Sequence, residues 1–278
     1  MKKILIVGAG AMGAAFSIPL LDNGHSVALT EPYNFKLLKK LNSKKKIHPS
    51  LNINLPKKLK INKFSSEILN RKWDLIVIAV SSIGIDLIGK NLSKVKNKSP
   101  VLVLTKGLKF DGRNLISMSS LLKKYNKNLN ISVLKGPCLA KELSRKVKSF
   151  TVVANKNINT AKKIGKLIST NYYQTEFSRD VRGVEFISAI KNIYSMIIGA
   201  GQWHNTSSAL FKKSIDEMKY LVNYFKGKNE TVYGLAGLGD LYVSAMGGRN
   251  SKMGEYLGKG YTFAQAKKKF MKNDTVEG

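Results

Sequence analysis

Three glycines fall in the stretch Gly8-Ala9-Gly10-Ala11-Met12-Gly13, directly after an apolar, β-branched run from Ile4 to Val7. The spacing suits phosphate chemistry. The first glycine permits a tight turn, the second lets a pyrophosphate approach the backbone, and the third lets a helix pack close to the preceding strand. The pyrophosphate then rests on a helix N-terminus, where unpaired N–H groups and the helix dipole favour an anion. Glu31 ends the next predicted strand, 18 residues after Gly13, close to the spacing the motif calls for. A carboxylate there accepts hydrogen bonds from ribose hydroxyls and repels a 2′-phosphate. It favours NAD, while Lys36, Lys39 and Lys40 downstream offer cations to NADP. The expected cofactor is therefore NAD or NADP, with NAD favoured. Lys191 is the second residue of interest, because it interrupts an otherwise apolar helical stretch, Phe186 to Ile198. Its spacing leaves two readings open. It lies at the wet edge of a helix, or it is held in a buried site, where desolvation moves an amine down from a pKa of about 10.4 toward proton transfer.

These residues need elements to position them. Short β-branched runs predict strands at 3–7, 26–30, 75–80, 101–105, 131–134, 150–154 and 172–176. Amphipathic stretches such as 11–23 and 158–170 lie between several of them. Alternation of strand and helix means a mostly parallel sheet covered on both faces. Ser81 ends one predicted strand and Lys106 follows another, which puts both at carboxyl ends, where a dinucleotide crevice lies. After Gly183 no strand is predicted, and 183–200 and 208–225 read as long helices. The expected fold is α/β: a Rossmann-type dinucleotide-binding domain over residues 1–179, followed by an all-α domain over 180–278.

Composition bounds the partners. The 278 residues carry 48 lysines and arginines against 17 acids, a net charge of +31, and 43% are hydrophobic. Such a charge raises nucleic acid as a partner. Only six of the basic residues are arginine, however, and arginine carries the bidentate contacts to phosphates and bases. A solvated lysine surface is the expectation, with no nucleic-acid partner. The single cysteine, Cys138, allows no internal disulfide, which fits a reducing cytoplasm. Met1-Lys2-Lys3 and the apolar residues through Phe16 have the outline of a signal peptide, but the spaced glycines favour a strand and turn. No apolar run approaches the roughly 20 residues of a membrane span, so no stable membrane insertion is expected. His25, His48 and His204 stand apart in loops and at element ends, and no cluster has metal-ligand spacing, so no metal is expected.

Longer motifs carry a resemblance. GAGAMGAAFS at 8–17, LTKGL at 104–108, GPCLAKEL at 136–143, GVEFISAIKNIYSMIIGAG at 183–201 and GLAGLGDLYVSAMGGRNSKMGEYLGKG at 234–260 resemble NAD(P)-dependent glycerol-3-phosphate dehydrogenase, in order and over nearly the whole chain. The resemblance implies reduction of dihydroxyacetone phosphate to sn-glycerol 3-phosphate, a precursor of glycerophospholipids. It makes Lys191 the catalytic lysine and Asp240 the acid that orients it. It gives Lys106, Gly136, Asn192, Ser244, Arg249 and Asn250 to the substrate. It gives Gly8, Gly10, Ala11, Met12, Gly13, Glu31, Ser81, Lys106, Ala140, Arg249 and Glu277 to the cofactor. A planar guanidinium at Arg249 suits phosphate oxygens. Asp240 and Ser244 are four apart and share a face if their segment is helical. Cys138 stands where many members have serine, so a thiol replaces the hydroxyl there. The resemblance also implies a homodimer through the helical domain, and further helices after Val276-Glu277-Gly278, so the second domain reads as truncated. Two alternatives stand beside it. One is a ketopantoate-reductase-like NADPH-dependent reductase, against which the GLGDL and GGRN segments speak. The other is a non-catalytic basic nucleotide-binding protein, against which Lys191, Asp240 and Arg249 in their motifs speak.

Overall fold

A computed structural model describes every residue except 44, 45, 97, 273, 275, 277 and 278. The chain divides into two compact units, Met1–Val181 and Arg182–Gly278.

The first unit is built on one eight-stranded sheet. Its strands are β1 (Lys3–Val7), β2 (Ser26–Glu31), β3 (Lys60–Lys63), β4 (Leu75–Ile78), β5 (Val101–Val103), β6 (Ile131–Lys135), β7 (Ser149–Ala154) and β8 (Tyr173–Ser178). They lie in the order β8-β7-β6-β5-β4-β1-β2-β3. Neighbours are parallel except β6 and β7, which are antiparallel. The central strands are buried along nearly their whole length, as a sheet with both faces covered requires. Helix α1 (Ala11–Asp22) is apolar on most of its surface, and Ala14, Ala15, Phe16 and Leu20 are fully buried. Phe16 meets Tyr173 edge-on at 5.9 Å between ring centroids.

The chain goes from β1 to β2 on one side, then crosses to β4 on the other side of β1. The register aligns Val7 with Thr30 and with Ile78. The carboxyl ends of these three strands therefore lie side by side at the switch point, where ligands of such sheets bind.

Strands β4 and β5 end two residues sooner than the periodicity predicts. Their last residues leave the sheet and bond to each other instead: the Thr105 hydroxyl donates to the Val80 carbonyl at 2.7 Å. The edge strand β3 was not expected. Its sequence Lys-Ile-Asn-Lys has only one apolar residue, and it pairs with β2 alone. Two short hairpins, Ile47–His48 with Ile53–Asn54 and Leu108–Phe110 with Leu115–Ser117, are too brief to show a period.

Among its described residues the second unit contains helices and no strand. Helix α2 (Val181–Ala200) is followed by α3 (His204–Tyr224), α4 (Asp240–Ala245), α5 (Arg249–Gly258) and α6 (Phe263–Lys269). Helix α3 begins four residues before the predicted start. Phe186 of α2 stacks on Phe225, just past α3, at 4.0 Å. Helices α2 and α5 meet backbone to backbone. A Cβ on Gly199 would strike the Ser251 carbonyl, and one on Gly254 the Met196 carbonyl. Tyr256 and Phe270 stack at 4.3 Å and tie the end of α6 to α5. Thr262 and Gln265 form a reciprocal cap at the start of α6.

The α2–α5 contact gives a measurable expectation. Gly254→Ala forces a methyl into a carbonyl and lowers stability by about 1–3 kcal/mol, read as a fall in thermal midpoint. An unchanged midpoint would mean that the two helices do not touch there.

Candidate active site

Lys191 sits midway along α2 and is only 5% exposed. Of the two readings its spacing allowed, the buried one is correct. Its ammonium donates to Asp240 Oδ1 at 3.0 Å and to the Ser244 hydroxyl. Asp240 is itself 4% exposed, so this is a buried ion pair. Burial of an ammonium is costly and demands such partners. The local fold supplies them. Leu235–Gly239 winds as one π-helical turn straight into α4, and Asp240 and Ser244 stand one turn apart on that helix. Gly237 lies so close to the Val232 carbonyl that no side chain fits. The Ser195 hydroxyl, one turn beyond Lys191, donates to the Ser244 carbonyl at 3.0 Å and pins α4 to α2.

The next segment carries two more expected residues. Gly247 takes a left-handed conformation, φ +88°, and Gly248 donates its N–H to the Ser244 carbonyl at 3.0 Å. This turn starts α5, so exposed Arg249 and half-buried Asn250 occupy its first turn. A helix N-terminus beside a guanidinium suits a phosphate. Asn192 is buried next to Lys191 on α2. Thus the second unit gathers Lys191, Asp240 and Ser244 in one hydrogen-bonded cluster, with Arg249 and Asn250 on the adjoining turn.

The expected cofactor and substrate residues of the first unit lie at strand carboxyl ends. The turn Gly8–Gly13 follows β1, Glu31 ends β2, Ser81 follows β4, Lys106 follows β5 and Gly136 follows β6. Ala140 opens a short helix, Ala140–Ser144, that packs against α1. The glycine positions fit a dinucleotide. Gly8 has φ +110°, and a Cβ there would enter the Ala79–Val80 backbone. A Cβ on Gly13 would strike the Gly8 carbonyl. Gly10 faces open space, with nothing within 4 Å of an added Cβ. No side chain caps the N-terminus of α1. The turn is therefore closed on the protein side and open where a pyrophosphate would approach.

Glu31 does more than its strand-end position suggested. It is buried, and its carboxylate accepts from the N–H groups of Ala9 at 2.7 Å, Tyr33 at 2.9 Å and Asn34 at 3.1 Å. It organises both the glycine turn and the loop after β2. Lys135 was missed altogether. Its ammonium, 2% exposed, donates to the carbonyls of Leu104 at 3.1 Å and Thr105 at 2.6 Å. It thereby holds the strap that carries half-buried Lys106, and Gly107 at φ +136° packs on Ser82. A lysine at the last position of a strand reads as the strand's wet end, so nothing in the sequence marked it. Cys138 is half-buried against the core, as a small apolar residue would be. Glu277 lies outside the described residues. Among the described residues no group of three or more His, Cys, Asp or Glu is placed to hold a metal ion. No helix among them is long and apolar enough to cross a membrane.

Comparison with known proteins agrees across both units. Residues 3–161 match the family model for the NAD-dependent glycerol-3-phosphate dehydrogenase N-terminus, and 180–278 match that for its C-terminus. The chain is 31% identical to a glycerol-3-phosphate dehydrogenase [NAD(P)+] of Fusobacterium nucleatum, covering 100% of this chain and 84% of the relative. It is 29% identical to an NADP(+)-dependent glycerol-3-phosphate dehydrogenase of Archaeoglobus fulgidus, covering 95% and 82%. The crystal structure of a glycerol-3-phosphate dehydrogenase from Coxiella burnetii superimposes with a TM-score of 0.87 at 25% identity, covering 100% of this chain and 86% of that one.

The open space at Gly10 separates folding from ligand approach. Gly10→Ala leaves the thermal midpoint where it is, since the methyl meets nothing. It weakens NADH binding by fluorescence titration, since the methyl occupies the approach to the turn. Equal NADH affinity in the two proteins would reject the turn as the pyrophosphate site.

Proposed function

The chain belongs to the NAD-dependent glycerol-3-phosphate dehydrogenase family, and from that premise we propose that Lys191 moves the proton in its reaction. The enzyme is an oxidoreductase that interconverts dihydroxyacetone phosphate and sn-glycerol 3-phosphate with NAD or NADP. The bound reduced cofactor supplies a hydride to the ketone carbon. Negative charge develops on the ketone oxygen as the hydride arrives, and a placed proton donor lowers that barrier. Lys191 Nζ gives its proton to that oxygen, and the product is the secondary alcohol. In the oxidative direction the neutral amine takes the hydroxyl proton back. Asp240 and Ser244 hold the amine in one orientation, and the Asp240 carboxylate offsets the cost of keeping an ammonium away from water.

The observation that carries this reading is the buried Lys191 ammonium bonded to Asp240 and Ser244. Lys106, Gly136, Asn192, Ser244, Arg249 and Asn250 are the residues proposed for the substrate, with Arg249 and Asn250, in the first turn of α5, suited to its phosphate. Gly8 to Gly13, Ser81, Lys106, Ala140, Arg249 and Glu277 are proposed for the cofactor. Glu31 acts there at least through the Ala9 N–H that it binds. The proposal extends to a product destined for glycerophospholipid synthesis, a cytoplasmic location and a homodimer.

Purified protein with dihydroxyacetone phosphate and NADH or NADPH is expected to consume the reduced cofactor, followed as loss of the absorbance of the reduced nicotinamide. Lys191→Ala lowers kcat by about 10²–10⁴-fold, the usual worth of a positioned acid–base group, while NADH titration gives an unchanged Kd. Full turnover in Lys191→Ala would reject its role.

A further inference from the structure

His48 stood in the sequence as an unremarkable residue of a basic loop. It lies in fact at the foot of the glycine turn. The imidazole is 1% exposed. Its Nε2 is 3.0 Å from the Ala9 carbonyl, and its Nδ1 accepts the Leu51 N–H at 3.3 Å. These two contacts fix the tautomer. Nδ1 has a donor facing it and Nε2 has an acceptor, so Nε2 carries the proton and donates to Ala9. Burial also pushes the imidazole pKa below its ordinary 6.5, which keeps the ring neutral.

The hairpin that carries His48 is firmly anchored. His48 pairs with Ile53 across it, Asn52 takes the left-handed conformation at φ +53°, and Leu51, Leu55 and Leu59 are all buried in the core of the first unit. The ring therefore has little freedom, and neither does what it holds. Ala9 is pinned on both sides: its N–H is bound by Glu31 at 2.7 Å and its carbonyl by His48. Fixing the peptide planes before and after Ala9 fixes its φ and ψ. The Ala9–Gly10 peptide is trans, so its C=O and N–H point to opposite sides. With the carbonyl turned onto the buried imidazole, the Gly10 N–H is turned away from it.

We infer that His48 is a positioning residue for cofactor binding, acting through the Ala9 carbonyl to aim the Gly10 N–H as a pyrophosphate donor. The inference rests on the reading of Gly8–Gly13 as the dinucleotide turn, and it goes beyond that reading by assigning a role to a hairpin outside every motif. The donor to Ala9 and the acceptor from Leu51 sit on different ring nitrogens, so two amides separate them. A glutamine amide nitrogen reaches the place of Nε2, and an asparagine oxygen reaches that of Nδ1. His48→Gln keeps the donor to Ala9 and loses the acceptor for Leu51; His48→Asn does the reverse.

The experiment is fluorescence titration of NADH and NADPH into wild type, His48→Gln, His48→Asn and Gly10→Ala, with kcat measured at saturating cofactor. His48→Asn is expected to bind both cofactors about tenfold more weakly, the scale of one buried carbonyl left unpaired. His48→Gln is expected to stay near wild type, and kcat to be unchanged in both. A His48→Asn protein that binds as wild type, or a His48→Gln protein that loses as much affinity as His48→Asn, would overturn the inference by making His48 a support of the hairpin alone. If Gly10→Ala also binds NADH as wild type, the dinucleotide reading of the turn fails, and the role of His48 with it. Loss in Gly10→Ala without loss in His48→Asn removes His48 only.

Discussion

An ammonium and a carboxylate buried side by side among helices govern the second unit. Removing either partner alone leaves an uncompensated buried charge, at a cost of about 3–5 kcal/mol. Two apolar side chains of the same volume often give equal or greater stability. The Lys191–Asp240 pair is therefore poorly explained as a fold stabiliser. Its geometry rests on backbone rather than on bulk. The π-helical turn before α4 sets where Asp240 emerges, Ser195 ties α4 to α2, and the close crossing of α2 and α5 holds the turn bearing Arg249. Helix α4 also places Asp240 in its first turn, where a carboxylate meets the positive end of the helix dipole.

The first unit uses the same economy at its glycine turn. Gly8 and Gly13 are closed by contact, and Ala9 is held by a carboxylate on one face and an imidazole on the other. A pre-set turn binds an anion without first having to order itself, and less free energy is lost on binding. The net charge of +31 acts at longer range. With 17 acids for 48 bases, most cations lack a carboxylate to face, and the exposed ion pairs that do form, such as Lys2–Asp74 and Lys212–Asp216, contribute little to stability. The surplus raises the positive potential around a protein whose ligands are phosphates, and salt screens that effect.

Much of this was legible in the residues. Long patterns with a strong period gave α1, the central strands and α2, because burial on defined faces leaves a mark in the sequence. The glycine turn was legible because its chemistry permits few residue types. Lys191 could be seen as an anomaly, although its spacing alone did not separate a buried site from a wet edge. What escaped notice was set by tertiary contact. Strand β3 exists because β2 offers it an edge. Lys135 looks like any strand-end lysine until the carbonyls of Leu104 and Thr105 surround it. Glu31 was read for a ligand, and its bonds to three backbone N–H groups depend on how two loops fold around it. His48 belongs with these, since a two-residue strand has no period to read.

The two buried amines have a practical consequence. Of the chain's 42 lysines, Lys135 and Lys191 are the two that are buried among the described residues, and each unit holds one. An amine-reactive reagent applied to the folded protein marks the surface lysines and spares Lys135, which is enclosed by the carbonyls of Leu104 and Thr105. A brief acylation pulse followed by peptide mass mapping would thus follow the opening of the first unit through Lys135, with no engineered probe and the lysine-rich surface as the internal standard, while Lys191 would report the path by which a small molecule reaches it.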